Sequence, residues 1–321
     1  MKPSVALTLL VMGSSLGSLQ VGWADLVSYT YATVDVPGAI DTGASDINDT
    51  GQIVGFYTTP TFLGFVDSSG TFTTFAVPPM PPSFEAVDTF PSGINNGGRV
   101  VGTFETSSHI QYGFTLAGNS IAVVDPPGST NTQAHALNNS GQIVGYFADN
   151  TGAHGFLDTN GVFTAINVPG TATTVANGIN NVGQIVGSYS LGDGTYHGFL
   201  YTNGVFVTLD FPGGNTSLNG INDTGEIVGT SNEGSFLDTV SGFIPINVPG
   251  SISTFVSGIN DSGEIVGAFV DSSSTPREHG FIATPHITSI PEPASFLLIA
   301  SGLAGIIILI VRRRMARTTT Y

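Results

Sequence analysis

The chain has 321 residues with a formal net charge of −16, 43 glycines and no cysteine, and only 9% of its residues are charged. The lack of cysteine excludes disulfides, thiolate metal sites and a cysteine nucleophile. Between residues 25 and 290 only Arg99 and Arg277 are basic, which excludes the positive stripe that nucleic-acid binding requires.

Residues 1–24 have the features of a secretory signal peptide. Lys2 supplies a positive charge, residues 5–12 are apolar, and Gly22-Trp23-Ala24 places small residues where signal peptidase cleaves. We therefore predict that signal peptidase cuts between Ala24 and Asp25. The alternative is an uncleaved anchor, which the short apolar stretch disfavours.

A sequence pattern recurs through the middle of the chain: Gly-Ile-Asn, then Asn or Asp, any residue, Gly, Gln or Glu, and Ile-Val-Gly. Its copies are centred on Ile47, Ile94, Leu137, Ile179, Ile221 and Ile259, at spacings of 47, 43, 42, 42 and 38 residues. The Asn-x-x-Gly part predicts a turn, and the residues after it predict a strand. A second strand carries His-Gly-Phe or a variant, a third ends in Val-Pro-Gly, and a fourth leads into the next turn.

Four short strands in about 42 residues are typical of one β-propeller blade. The Val-Pro-Gly strand also occurs before the first turn, in residues 31–38, and lacks a good copy after the last. This offset predicts that the N-terminal strand completes the last blade and closes a ring without exposed edges. We therefore predict an all-β fold over residues 25–289, a propeller of six four-stranded blades. An open β-solenoid is the alternative.

The repeat resembles the extracellular HAF repeat family over residues 29–285. The resemblance rests on the Gly-Ile-Asn-x-x-Gly-x-Ile-Val-Gly core and the His-Gly-Phe strand. It implies an exported protein rather than a particular activity.

Three histidines, His154, His197 and His279, recur at one position of the repeat. We predict that they satisfy local backbone groups in separate blades, because a metal or catalytic site would need them to converge. Residues 46–51 begin like a calcium loop but lack its bidentate glutamate. We interpret them as a turn, with calcium binding as the alternative, and predict no cofactor, no resident metal and no catalytic residue.

Some polar residues do not recur from repeat to repeat, and these could line a binding face on the loops. They are Glu85, Arg99, Glu105, His109, His135, Glu233, Arg277 and Glu278. A glycosidase would need two carboxylates facing each other across a cleft. Glu85 and Glu278 are the candidates for that alternative.

The last segment begins with Pro291, Glu292 and Pro293. The 18 uncharged residues 294–311 follow, and a helix of that length, roughly 27 Å, just spans a membrane. We predict that Arg312, Arg313 and Arg314 hold the end of this helix in the cytoplasm, with residues 316–321 as a cytoplasmic tail. This order of features over residues 290–315 resembles the PEP-CTERM sorting signal of Gram-negative bacteria. A plain membrane anchor is the alternative.

The PEP-CTERM resemblance implies recognition of Pro291, Glu292 and Pro293 by an exosortase-type membrane peptidase. It implies anchoring in the inner membrane before processing, then release or attachment at the cell surface, and a link to exopolysaccharide or biofilm matrix. We therefore predict a non-enzymatic surface or matrix protein. The alternatives are a carbohydrate-active enzyme on one propeller face and a calcium-dependent adhesin.

Overall fold

A computed structural model of the chain describes residues 24–79, 86–212 and 214–290. It divides into a unit of residues 29–285 and a unit formed by the two ends of the chain. The described parts of the second unit, residues 24–28 and 286–290, are ends of strands. The sorting tripeptide, the 294–311 segment, the arginine cluster and all but the last residue of the predicted signal peptide lie outside the described residues.

The described residues form strands and no helix. The first half of the chain contains β1 (Ala24–Val34), β2 (Thr42–Ile47), β3 (Gln52–Thr58), β4 (Phe62–Ser68), β5 (Thr71–Phe75), β6 (Ala86–Ile94), β7 (Val100–Thr106), β8 (Gln111–Ala117), β9 (Ser120–Val124), β10 (Asn131–Leu137), β11 (Ile143–Asp149) and β12 (Gly152–Thr159). The second half contains β13 (Val162–Ile166), β14 (Thr173–Ile179), β15 (Ile185–Ser190), β16 (Tyr196–Thr202), β17 (Val205–Thr208), β18 (Thr216–Ile221), β19 (Ile227–Ser231), β20 (Gly234–Thr239), β21 (Gly242–Pro245), β22 (Ser253–Ile259), β23 (Ile265–Val270) and β24 (Glu278–Ile290).

The strands pair into antiparallel sheets that follow the sequence repeat. Four sheets have four strands each, in the orders β2-β3-β4-β5, β6-β7-β8-β9, β18-β19-β20-β21 and β1-β24-β23-β22. The N-terminal strand therefore lies in the same sheet as the last three strands, as the offset of the Val-Pro-Gly strand predicts. The fifth sheet has eight strands. This pairing differs from the six separate blades predicted, because a parallel pairing of Ala153 with Thr173 joins β12 to β14.

The hydrophobic core lies between neighbouring sheets. The phenylalanine of each Gly-Phe pair, replaced by Ser235-Phe236 in the fifth repeat, is almost fully buried, as Phe65, Phe114, Phe156, Phe199, Phe236 and Phe281. Phe114 of the second repeat, for example, packs against Val54 and Val77 of the first repeat. Each repeat therefore buries its apolar face only against the next, which is the physical reason that repeats must stack to be stable.

The glycine before this phenylalanine allows a close approach between strands. A Cβ atom on Gly155 would lie 2.6 Å from the carbonyl oxygen of Ile166 in the outermost strand β13. The same relationship joins Gly280 to Val34 of β1, at 2.5 Å. The N-terminal strand thus occupies, in the last sheet, the place that β13 occupies in its own.

The described residues contain no helix that is long and apolar enough to span a membrane. The predicted transmembrane helix falls in a part of the chain that the structure does not describe, so it remains a prediction.

Candidate functional site

Each Asn-x-x-Gly turn is built around the side chain of its first asparagine. Asn48 Oδ1 accepts hydrogen bonds from the backbone N–H groups of Thr50 and Gln52, at 3.1 and 2.9 Å. Asn48 Nδ2 donates to Gln52 Oε1 at 3.0 Å. This bond explains why the motif carries Gln or Glu after the glycine, since both supply an acceptor oxygen. The glycine itself has positive φ, +78° at Gly51, which residues with a side chain rarely adopt.

The same asparagine side chains connect each turn to the next. Asn48 Nδ2 also donates to the carbonyl of Asn95, and the series continues through Asn138, Asn180, Asn222 and Asn260 at 2.9–3.3 Å. Asn260 Nδ2 then donates to the carbonyl of Asn48. These bonds form a closed ring of six turns. We call the end of the ring formed by these turns the turn face.

A second closed ring involves the next residue of each turn. The backbone N–H of Asp49 donates to Asn96 Oδ1 at 2.9 Å, and equivalent bonds of 2.7–2.9 Å continue around the turn face. The ring contains three amides and then three adjacent carboxylates, in the order Asn96, Asn139, Asn181, Asp223, Asp261 and Asp49. Burial raises the pKa of Asp261, and the Asp49 and Asp223 carboxylates add to the rise.

The rings line a central cavity, which we call the central channel, together with bulges in the strands that lead into the turns. Each of these strands inserts one unpaired residue opposite its neighbour, between Ala134 and Ala136 for example. The six bulge residues line the channel, as Ser45, Ser92, His135, Asn177, Asn219 and Ser257. A bulge re-aims a side chain, so one repeated irregularity lines the channel with polar groups.

Asp46 is a half-buried carboxylate that lines this channel. Its Oδ2 accepts a hydrogen bond from the backbone N–H of Ile94 at 2.9 Å, and its Oδ1 touches Gly258, leaving no room for a side chain there. Burial raises the pKa of Asp46 to about 7, and the Asp49 carboxylate adds to the rise, although the N–H groups of Ile94 and Ile47 oppose it. Asp46 therefore keeps its proton to a much higher pH than an ordinary aspartic acid does.

His135 faces the same channel from the third repeat. Its Nδ1 lies 3.1 Å from the carbonyl of Ala176, so Nδ1 carries the hydrogen and donates. Burial lowers the pKa of His135, which favours the neutral ring, although the bonds to Ala176 and Asn177 oppose this effect. The sequence places His135 among the residues that could line a binding face on the loops, but the bulge puts it in the central channel.

The three repeated histidines lie at the opposite end of the sheets, which we call the loop face. This face carries the links between the Ile-Val-Gly strand and the Gly-Phe strand of each repeat, at 59–61, 107–110, 150–151, 191–195, 232–233 and 271–277. The three do not converge. Each lies beside an aromatic ring of the neighbouring strand, at centroid distances of 5.2–5.3 Å.

These histidines bond side chains rather than the backbone groups predicted. His197 Nδ1 lies 2.8 Å from Asp210 Oδ2, and His154 Nδ1 lies 3.3 Å from Asn167 Oδ1. His279 is held between Asp35 at 2.7 Å and Asp271 at 3.1 Å. Although burial lowers the pKa of His279, its bonds to these two carboxylates and their charges raise it above the usual value.

The segment that begins like a calcium loop uses its oxygens within the protein. Asn48 Oδ1 caps its own turn, Asp46 Oδ2 binds the Ile94 N–H, and Asp49 Oδ1 binds the Asp261 N–H at 2.9 Å. In the part of the chain that the structure describes, no group of three or more His, Asp or Glu side chains is arranged to hold a metal ion.

The other non-recurring residues are scattered. Glu105 pairs with His109 at 2.7 Å on the loop face, and Arg99 is exposed on the turn face at the position of the acceptor Gln or Glu. Glu278 is half-buried, and its N–H donates to Asp41 Oδ1 at 3.1 Å. Burial raises the pKa of Glu278, and the Asp41 charge adds to the rise. Glu85 lies outside the described residues, so the proposed carboxylate pair has no geometry to test.

Sequence reasoning missed the two rings and the role of Asp46. The signal for Asp46 was present, because Gly or Ala stands at this position in the other five repeats. The rings had no such signal, since an Asn-x-x-Gly turn satisfies its own bonds whether or not a neighbouring turn lies beside it.

Solved structures with the same fold include proteins of different kinds. A protein of unknown function from Dyadobacter fermentans is 10% identical, with 82% of this chain and 99% of that one covered, at a TM-score of 0.50. SapL1 lectin in complex with alpha methyl fucoside is 10% identical, with 79% and 98% covered, at 0.50. The six-bladed lectin of Aleuria aurantia is 13% identical, with 81% and 99% covered, at 0.48. At these identities the likeness to the first two structures, whose TM-scores are 0.50, shows the fold alone.

A search of curated proteins finds no match. The PEP-CTERM protein-sorting motif matches residues 289–314, which confirms the resemblance of the C-terminal segment. This motif implies export, anchoring of the C-terminal signal in a membrane before processing, and processing by an exosortase. The chain is therefore an exosortase-targeted extracellular protein built around a β-propeller.

Proposed function

We propose that this protein is a non-enzymatic binding module of the bacterial surface or extracellular matrix, and that its ligand is an exopolysaccharide. Signal peptidase would remove residues 1–24. An exosortase-type peptidase would recognise Pro291, Glu292 and Pro293 while residues 294–311 span the inner membrane, with Arg312, Arg313 and Arg314 on the cytoplasmic side. The match of residues 289–314 to the sorting motif supports this route.

The contrast between the two faces carries the proposal of binding. Turn-face contacts repeat around the whole ring and hold the fold together. On the loop face, the second residue before the Gly-Phe pair, or before Ser235-Phe236 in the fifth repeat, differs in almost every repeat. These residues are Phe62, Gln111, Ala153, Tyr196, Glu233 and Glu278. A rigid ring that presents varied side chains at one end is an arrangement typical of binding.

We further propose that the ring has six blades and that its repeats are of the HAF type. The closed series of six asparagines supports six units, and so does the single residue pair that joins the two halves of the eight-stranded sheet. In this description the fused sheet is two blades in contact at one point.

A carbohydrate-active enzyme is the second candidate, and Glu278 is the residue that favours it. Glycoside hydrolysis needs a carboxylic acid whose pKa is raised, and burial beside Asp41 raises the pKa of Glu278. This candidate predicts that the purified protein releases oligosaccharides from a matrix polymer and that Glu278→Gln abolishes the release.

The test of the binding proposal is a thermal melt of the full-length protein in mild detergent, with and without each of several bacterial polysaccharides. A ligand that binds only the folded state raises Tm by mass action. A reproducible rise without release of oligosaccharides supports a binding module. No rise with any matrix polysaccharide contradicts the proposal.

A further inference from the structure

The fifth repeat departs from the others on the loop face. In the third, fourth and sixth repeats a histidine lies beside an aromatic ring across the strand pair, as His197 does beside Tyr189. The fifth repeat has Gly234 paired with Ser231 at this place. Its strand β19 is also shorter, because it ends two residues after the glycine of the Ile-Val-Gly motif, whereas β11 ends four residues after that glycine. The missing ring pair and the short hairpin leave space between the fourth and fifth repeats.

This space is a groove lined by Tyr196, Asn215, Thr216, Ser217, Thr230, Ser231 and Asn232. We call it the 4/5 groove. The Tyr196 side chain comes from the fourth repeat and is 50% exposed. Asn215 and Asn232 come from the fifth repeat. The groove therefore combines an accessible aromatic ring with two amides and several hydroxyl groups.

Both side-chain amides keep hydrogen-bonding capacity, and a hydrogen bond to the backbone fixes the position of Asn215. Asn215 Oδ1 accepts the backbone N–H of Tyr196 at 2.9 Å, which leaves its Nδ2 group without a hydrogen bond among the described residues. The Asn232 amide also makes no hydrogen bond within the described part of the chain, and its Nδ2 lies against Gly214. A side chain on Gly214 would collide with this amide, at 2.6 Å from its Cβ, so the glycine makes room for it.

This chemistry fits the ring of a sugar. The apolar C–H face of a pyranose packs against an aromatic ring, and its hydroxyl groups pair with amides that can both donate and accept. Glu233 directly follows Asn232 and carries a negative charge at the rim, which disfavours an acidic sugar. A neutral sugar matches the groove better than a uronic acid does.

The equivalent junctions in the ring lack this combination. In the sixth repeat the position of Tyr196 is occupied by Glu278. In the second repeat it is occupied by Gln111, whose Oε1 accepts a hydrogen bond from Gln133 Nε2 at 2.6 Å. In the first repeat it is Phe62, whose ring packs on Phe90 at a centroid distance of 4.9 Å. Only the 4/5 groove, among the junctions described, offers an exposed aromatic ring beside two side-chain amides that keep hydrogen-bonding groups unused within the described residues.

We propose that the 4/5 groove is a binding site for a neutral hexose unit of an extracellular polysaccharide, with Tyr196 as the stacking platform and Asn215 and Asn232 as the hydroxyl-binding groups. This inference rests on the proposed function of a polysaccharide-binding module, for which it names the site and the sugar class.

The test measures the affinity of the full-length protein for a neutral glucan, a neutral galactomannan and the acidic polymer alginate. We expect wild type to bind a neutral polymer more tightly than alginate. Tyr196→Ala should weaken that binding at least about tenfold, because it removes the platform, whereas Tyr196→Phe should change it less than about twofold. Asn232→Ala should weaken it with no change in Tm, because its side chain makes no hydrogen bond in the described structure.

Phe62→Ala is the matched control, since it removes an aromatic ring from the equivalent position of the first repeat and should leave the affinity unchanged. If Tyr196→Ala and Asn232→Ala both bind the polymer with the affinity of wild type, the 4/5 groove is not the binding site, while the proposed function is unaffected. Tighter binding of alginate than of the neutral polymers would overturn the sugar class. Absence of binding to all three polymers would overturn the inference together with the proposed function that it assumes.

Discussion

The side-chain amide of Asn260 donates a hydrogen bond of 3.2 Å to the carbonyl of Asn48, which precedes it by 212 residues. This bond completes the ring of turns by joining the last turn to the first, which are not consecutive in the chain. The same two turns are joined a second time by the backbone N–H of Asp261 and Asp49 Oδ1. The closure of the ring is therefore made by the same contacts as its other five junctions.

We predict that Asn260→Ala lowers the free energy of unfolding by about 1–3 kcal/mol, because buried backbone groups lose their partners in the turn and at the junction. The measurement is urea unfolding followed by circular dichroism. Ser262→Ala, in the same turn but without a side-chain role in the rings, is the control. Equal stability of the two variants would show that the asparagine contacts contribute nothing to closure.

Asp46 makes the stability depend on pH in a direction opposite to that of a paired carboxylate. Its pKa is about 7 in the folded chain and close to 3.8 when unfolded. Between these values the folded chain holds a proton that the unfolded chain has released, so the free energy of unfolding falls as pH rises from about 4 to about 7.

Asp46→Asn should remove this fall, because an amide keeps the acceptor for the Ile94 N–H and never ionises. The free energy of unfolding of the variant minus that of wild type should be about 1–4 kcal/mol larger at about pH 8 than at about pH 5. Denaturant unfolding of both proteins at both pH values measures this difference. Because the two proteins share all other carboxylates, the repulsion among those carboxylates cancels in the comparison. Parallel pH profiles of the two proteins would contradict the prediction.

His279 should titrate above the usual pH range of histidine because Asp35 and Asp271 hold its ring. Because the pKa of His279 is higher in the folded chain than in the unfolded chain, protonation of its ring stabilises the fold. This stabilisation is complete below the pKa of the unfolded chain and is lost as pH rises through the pKa of the folded chain. Asp271→Asn should lower the pKa of His279, and NMR titration of the imidazole C–H signal measures it. A pKa of His279 that is indifferent to Asp271 would disprove the coupling.

The buried phenylalanine of the Gly-Phe pair should dominate the stability of each repeat. Phe199→Ala should lower the free energy of unfolding by about 3–5 kcal/mol, because it leaves a cavity where the ring is fully buried. Val205→Ala, at a side chain that is 59% exposed in the adjacent strand β17, should have little effect. The comparison uses urea unfolding at one pH, and a small loss for Phe199→Ala would place the core elsewhere.

Replacing Pro291, Glu292 and Pro293 by alanine should block processing without affecting the propeller, since the sorting motif lies in residues 289–314. We expect the longer, unprocessed form to accumulate in the membrane fraction on immunoblots of a producing strain. Alanine at the neighbouring Thr288 is the control. Normal processing of the triple variant would show that another segment is recognised.

The sequence by itself determined the strands and the turns, although the six separate blades that it predicts are four four-stranded sheets and one eight-stranded sheet in the structure. Asn-x-x-Gly turns and Gly-Phe strands are local features, because each depends on φ preferences and on hydrogen bonds between residues a few positions apart. The offset of the Val-Pro-Gly strand was also visible in the sequence, and it places β1 in the last sheet.

Only the tertiary structure decided what these elements do together. Asn48 and Asn260 form one contact only because the ring closes, and no local pattern records a bond across 212 residues. His135 belongs to the channel rather than to the loops because a bulge shifts the register of its strand by one residue and turns its side chain inward. The 4/5 groove exists because Tyr196 from one repeat meets two asparagines from the next. Contacts of this kind depend on how neighbouring sheets pack. That packing depends in turn on residues that are far apart in the sequence.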